Sequence, residues 1–214
     1  MKKIFLAITL IITSLVIFTL GGCEKPTPYY EYLSELKTEI FHCEKENLTA
    51  SWGFKMENGE RVFGLTFNLT GFETDAVYRT VSTELGGEKL SATFTLSPST
   101  HSDRAFIETD SSFALKTFTA TLVEGQTHTD LTFNSIIPDQ TIDYKTALNK
   151  LKSDHDGFIS ANVPADGSPF IKLRVLVKNQ TPYYFVGVES INGGLKAFLL
   201  DGFNGDTLTA REVF

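Results

Sequence analysis

A mainly β fold is what this sequence predicts: an N-terminal antiparallel β-sandwich followed by a small α+β unit with one helix on an antiparallel meander. Three observations carry the expectation. Apolar residues alternate perfectly on either side of an Asn58-Gly59 pair. The same two-residue period then recurs between turn signals up to Pro138. A single segment, Thr141 to Lys152, switches to helical spacing before short strand patterns resume.

The first pair of strands is the clearest. Leu48, Ala50, Trp52, Phe54 and Met56 share one face, and Thr49, Ser51, Gly53 and Lys55 the other. Such alternation belongs to a half-buried strand. Asn58-Gly59 is a strong short hairpin signal. Phe63, Leu65, Phe67 and Leu69 then alternate with Gly64, Thr66, Asn68 and Thr70. Val77–Val81 reads as a further short strand, followed by the Gly86-Gly87 turn. Leu90, Ala92, Phe94 and Leu96 give the next inward face. Phe118, Ala120 and Leu122 give another within 113–123, and Leu131, Phe133, Ser135 and Ile137 the last. Short strands at this spacing suggest a two-sheet sandwich over residues 34–138, with threonine-rich outer faces. The architecture resembles an immunoglobulin-like sandwich, without the Cys…Trp…Cys spacing of true immunoglobulin domains.

In the segment from Thr141, Tyr144, Ala147, Leu148 and Leu151 fall at i, i+3, i+4 and i+7. Thr141 or Asp143 can cap the helix, and its lysines lie toward the C-terminus, as the helix dipole favours. The pattern predicts a stop at Ser153-Asp154-His155-Asp156-Gly157. Strands are expected at 158–163, 170–177, 183–189 and 195–200, with a last piece at 207–214. These make an α+β unit, 139–214, in which the helix covers one face of the sheet.

The N-terminus carries an address. Lys2 and Lys3 precede an apolar run from Ile4 to Leu20, and Leu20-Gly21-Gly22-Cys23 ends it. A charged n-region, an apolar h-region and a small-residue close define an export signal. Leu-Gly-Gly-Cys resembles the lipobox of bacterial lipoproteins. That resemblance implies cleavage after Gly22, a diacylglycerol on Cys23, and an acylated protein held on the extracytoplasmic face of the cell membrane. An uncleaved membrane-spanning anchor is the competing reading, since the run approaches spanning length. Residues 1–22 would be the signal peptide and 23–33 a lipidated tether, stiffened by Pro26 and Pro28.

Charge narrows the partners. Of 19 Lys plus Arg, two lysines leave with residues 1–22, so 17 remain against 26 Asp plus Glu, a formal charge of −9. An acidic chain without a basic stripe does not track nucleic acid phosphates. The membrane is therefore reached through the lipid on Cys23, and the expected partner is a protein, a peptide or an envelope component.

No residue pattern for catalysis emerges. Cys43 follows His42, but neighbours on a strand face opposite ways, and a structural cysteine is the expectation. His42, His101, His128 and His155 share no motif. Asp154-His155-Asp156 and Asp201–Asp206 lack the ligand series of a calcium loop, with Phe203 and Gly205 at ligand positions of the latter. Asn47, Asn68 and Asn179 head sequons that read as chance. No catalytic residue, metal site or cofactor is assigned.

The tail, Tyr183-Tyr184-Phe185-Val186-Gly187-Val188 followed by Gly193-Gly194-Leu195 through Asp201-Gly202-Phe203-Asn204-Gly205-Asp206 to Arg211, resembles the C-terminal hairpin of PepSY-like domains. It is also similar to the ends of uncharacterised lipoproteins from Firmicutes. The resemblance implies a non-catalytic module that binds or inhibits a partner, and it carries no catalytic residue with it. Tyr183, Tyr184 and Phe185 are the candidate binding residues. Tyr184 and Val186 share one face of their strand, Tyr183 and Phe185 the other. One face is expected to pack the helix, the other the sandwich or a partner. The expected function is thus a non-enzymatic interaction module. The alternatives are an envelope hydrolase with an unrecognised site and a structural subunit of a larger surface complex.

Overall fold

The structure is a computed structural model and describes residues 27–71, 78–97, 102–111 and 114–213. Cys23, the leader and His101 lie outside the described residues. The strands are β1 (Leu33–His42), β2 (Leu48–Glu57), β3 (Glu60–Thr70), β4 (Arg79–Leu85), β5 (Glu88–Thr93), β6 (Thr95–Ser97), β7 (Ser102–Glu108), β8 (Thr117–Glu124), β9 (Thr127–Ser135), β10 (Ile171–Lys178), β11 (Thr181–Glu189), β12 (Leu195–Asp201) and β13 (Thr207–Val213). The helix is α1 (Tyr144–Ala161), and a 3-10 turn at Tyr29–Tyr32 leads into β1. Among the described residues no helix is long and apolar enough to cross a membrane.

The mainly β expectation holds, and all thirteen strands join one sheet that nearly closes into a barrel. Strand β1 is its hub. One edge of β1 pairs with β2 from Glu35 to His42. Its other edge is divided: Leu33–Lys37 pair in parallel with β10, and Phe41 and His42 pair with β9. From β1 one branch runs through β9, β8, β4 and β5, the other through β2, β3, β7 and β6, and β5 comes to lie beside β7. A bulge between Lys37 and Glu39 shifts the phase of β1. Leu36 therefore pairs with Phe54 and Phe41 with Ala50, all on one face, although 36 and 41 differ by an odd number.

That face builds two cores. Inside the barrel, Phe41, Phe67, Phe118 and Phe133 are fully or nearly buried. The Phe118 and Phe133 rings stack at 4.9 Å, and Phe67 meets Phe133 edge-on at 5.5 Å. Under α1, the second core gathers Leu33, Leu36, Phe54, Leu148, Leu151, Ile159, Leu173, Val186 and Phe198. The helix starts where Asp143 accepts the Lys145 and Thr146 backbone N–H groups, an N-cap arrangement.

The structure corrects the sequence reading at several points. The helix does not stop at residue 153 but runs to Ala161, so no strand forms at 158–163. His155, Phe158 and Ile159 continue the stripe of Leu151, and His155 lies on the Phe198 ring at 4.9 Å between centroids. The expected turn survives only as non-helical φ and ψ at His155 (−135°, 22°). Gly157 has open space around it, so it is no obstacle to packing. The inward face read at 90–96 also breaks: Phe94 is buried but Leu96 is 61% exposed, because the chain leaves β5 at Phe94 and restarts as β6. Two strands escaped the pattern altogether, β1 and β7. Tyr29–Tyr32, expected in the tether, instead packs against α1, with the Tyr29 hydroxyl donating to Asp156 Oδ1 at 2.6 Å.

Candidate binding groove on the open face

Among the described residues no helix covers the sheet face opposite both cores, and its central strands form a groove of about 540 Å³. Two glycines on this face let neighbouring groups come close to the sheet. Lys37 pairs with Gly53, and Gly53 with Gly64, so the bare positions adjoin. At Gly53 the bulging β1 backbone comes so close that a Cβ would sit 1.7 Å from the Leu36 carbonyl oxygen. At Gly64 the space is taken by the Phe106 ring, 2.5 Å from where a Cβ would be. The Lys55 ammonium caps that ring at 4.4 Å from its centroid.

Register fixes which side chains share this face. Lys37 lies beside Arg174 of β10, Thr66 opposite Phe106, and Thr95 opposite Arg104. The Thr95 hydroxyl donates to the Arg104 carbonyl at 3.3 Å and holds β6 as a wall. Cations crowd the floor. Lys55 pairs with Glu57 at 3.1 Å and Lys37 with Glu35 at 3.4 Å. Arg104 has no carboxylate within 4 Å among the described residues, and Arg174 meets only the Phe185 ring, at 5.6 Å. Burial pushes the Lys37 ammonium below the ordinary lysine pKa; Glu35 opposes that, and Arg174 and Arg104 reinforce it.

The sequence candidates are divided by the sheet. Tyr184 is buried beneath α1, its hydroxyl donating to the Ile142 carbonyl. Burial, with Asp143 and Glu39 nearby, raises its pKa well above the ordinary tyrosine range. Tyr183 and Phe185 are half-buried on the open face and belong to neither core, so they do not pack the barrel interior. The Cys43 Sγ donates to the Lys45 and Leu48 carbonyls, and burial pushes the thiol pKa up, away from reactivity. His42 ends β1, His128 lies in β9 and His155 in α1. Asp156 is engaged by Tyr29 and Ser160, and the Tyr29 bond foremost lowers its pKa. Asp201 accepts the Phe203 and Asn204 N–H groups, an Asx turn closing the β12–β13 hairpin. Among the described residues no three His, Cys, Asp or Glu side chains gather as metal ligands.

Lys37, Arg104 and Phe106 were not singled out from sequence because their strands were not. Ala105 and Ile107 do alternate with Arg104 and Phe106, which is the signal that marks β7. The sequence matches no protein-family model and no curated protein.

Proposed function

We propose that this chain is a lipid-anchored extracytoplasmic binding protein, non-catalytic, that engages its partner through the open sheet face. The observation that carries the reading is the groove. It gathers Lys37, Lys55 and Arg104 around Phe106, with Arg174 and Phe185 on the adjoining strands, in a chain whose overall charge is negative; among the described residues neither arginine has a carboxylate within 4 Å. Arg104 is half-buried with no carboxylate to neutralise it among the described residues, an arrangement that suits recognition more than stability.

The leader and the Leu-Gly-Gly-Cys resemblance supply the anchor at Cys23, and Tyr29, which contacts α1, follows six residues later. Six residues reach at most about 20 Å, so the domain would sit close to the bilayer. Within the same reading the chain is a lipoprotein of the Firmicutes type. Its parts are an immunoglobulin-like sandwich at 34–138 and a PepSY-like α+β unit at 139–214. The barrel core lies wholly within 34–138, while the helix core draws mainly on 139–214 and also takes Leu36 and Phe54 from β1 and β2, which join the parts.

The test is a crosslinking pull-down from intact source cells, with a C-terminal tag and Cys23 retained. A dominant envelope component, lost with Arg104→Glu or Phe106→Ala, is the expected result. A stoichiometric protein partner indifferent to both substitutions would refute the face and point to a structural subunit. Cys23→Ser should release the protein from the membrane fraction; retention there would refute the anchor.

A further inference from the structure

We propose that the groove takes a phosphate group borne on a larger ligand, held by Lys37 and Arg104 with Arg174 at the margin. The inference rests on the binding reading above and names the ligand class of that same site.

Charge balance argues for a dianion. Lys37, Arg104 and Arg174 meet on this face, and Glu35 neutralises one of them. Lys55 is balanced by Glu57. The surplus of two positive charges matches phosphate better than one carboxylate. Geometry points the same way: a guanidinium offers a planar fork of donors to phosphate oxygens, and an ammonium adds a compact charge beside it. Glu108 stands at the far end, opposite Gly64 and beyond Phe106. It leaves the Lys37–Arg104 stretch electropositive.

Lys37 is partly desolvated, so an anion arriving beside it gains more than at an open surface. Lys37 carries the cost of that desolvation while the groove is empty, and an anion would offset it. The acidic chain as a whole repels anions. Attraction must therefore be local to this face. Size sets the rest of the ligand. A groove of about 540 Å³ exceeds a bare phosphate and lies in the usual range for small-molecule sites. The Phe106 ring, seated at Gly64 with the Lys55 ammonium over it, adds an apolar edge to the groove for a carbon skeleton.

The experiment titrates the full lipidated chain, in neutral detergent, with inorganic phosphate, glycerol 3-phosphate and glycerate by calorimetry. Saturable binding of both phosphates in the ~1 mM range or tighter is expected, with glycerol 3-phosphate ahead and glycerate at least ~10-fold weaker. Lys37→Gln and Arg104→Gln should each weaken phosphate ~10-fold or more, while Lys178→Gln, in the distant β10–β11 turn, changes nothing. Should either groove variant fold poorly, the wild-type chain alone decides. Its phosphate affinity must fall with added salt, and fall again as pH rises through the lowered Lys37 pKa. Equal affinity for glycerate, or indifference to Arg104→Gln in a folded variant, would overturn the proposal. So would absence of phosphate binding. If the crosslinked partner still depends on Arg104 and Phe106, only the ligand class has failed; if it does not, the binding reading falls with it.

Discussion

Phe133→Ala should unfold both cores together, although it touches only one. Phe133 is fully buried in the barrel, stacked on Phe118 and edge-on to Phe67. Removing such a ring costs ~3–5 kcal/mol in lost transfer energy and residual cavity. With a urea slope of ~2 kcal/mol/M, the midpoint should fall by ~2 M. The molecule supplies a separate reporter for each part. Its one tryptophan, Trp52, packs against the barrel core and stacks on Phe63 at 5.9 Å. Its long helix, α1, covers the other core. Leu33, Leu36 and Phe54 of that second core stand on β1 and β2, strands that the barrel also needs. Opening the barrel strips the helix core of these residues and of the β1–β10 ladder. Tryptophan fluorescence and circular dichroism at 222 nm should therefore shift by the same amount in one transition. A dichroism midpoint left at the wild-type value while fluorescence moves would refute the coupling through β1.

Three further outcomes follow from particular contacts. Asp143→Ala removes the cap from α1 and should cost ~1 kcal/mol in urea unfolding, with fraying of the first turn; an unchanged midpoint would contradict the cap. Tyr29 has its pKa raised from 10 to about 12, by burial first and then by its bond to Asp156. Because the folded pKa lies above the unfolded one, the stability it confers is intact below pH 10 and is lost as pH rises from 10 to about 12. Unfolding free energies measured over that window should decline less steeply in Tyr29→Phe, and an identical decline would count against the contact. Gly53→Ala forces β1 and β2 apart, since its methyl would meet the Leu36 carbonyl. The loss should exceed the ~1–3 kcal/mol of ordinary overpacking. Gly59→Ala, in open space at φ +84°, should cost only the ~1–2 kcal/mol of a left-handed residue. Melting temperatures of the pair that coincide would refute that ranking.

Local pattern made much of this protein legible. The strands at 48–57, 60–70, 171–178, 181–189 and 195–201 announce themselves because one face of each is buried, and a buried face imposes alternation. Turn chemistry is equally local: Asn58 and Gly59 both take positive φ, as do Asn179 and Gln180, the geometry of a tight hairpin. The helix start was legible in Asp143. Its end was not, because Gly157 and the four polar residues before it look like a stop unless Phe198 is known to lie beneath His155. β1 was hidden for a related reason. A bulge re-phases it between Leu36 and Phe41, so no single period fits the strand.

The sequence by itself determined the strand-rich class, the helix cap, the hairpins and the charge, since each depends on neighbours within a few positions. Only the tertiary structure decided that β1 serves two cores, that Tyr184 takes the helix side and Tyr183 the open face, and that Lys37, Arg104 and Phe106 share a groove. Those residues lie far apart along the chain, and pairing register alone brings them to one face. Register is set by burial summed over the whole sheet, a quantity that no stretch of sequence holds.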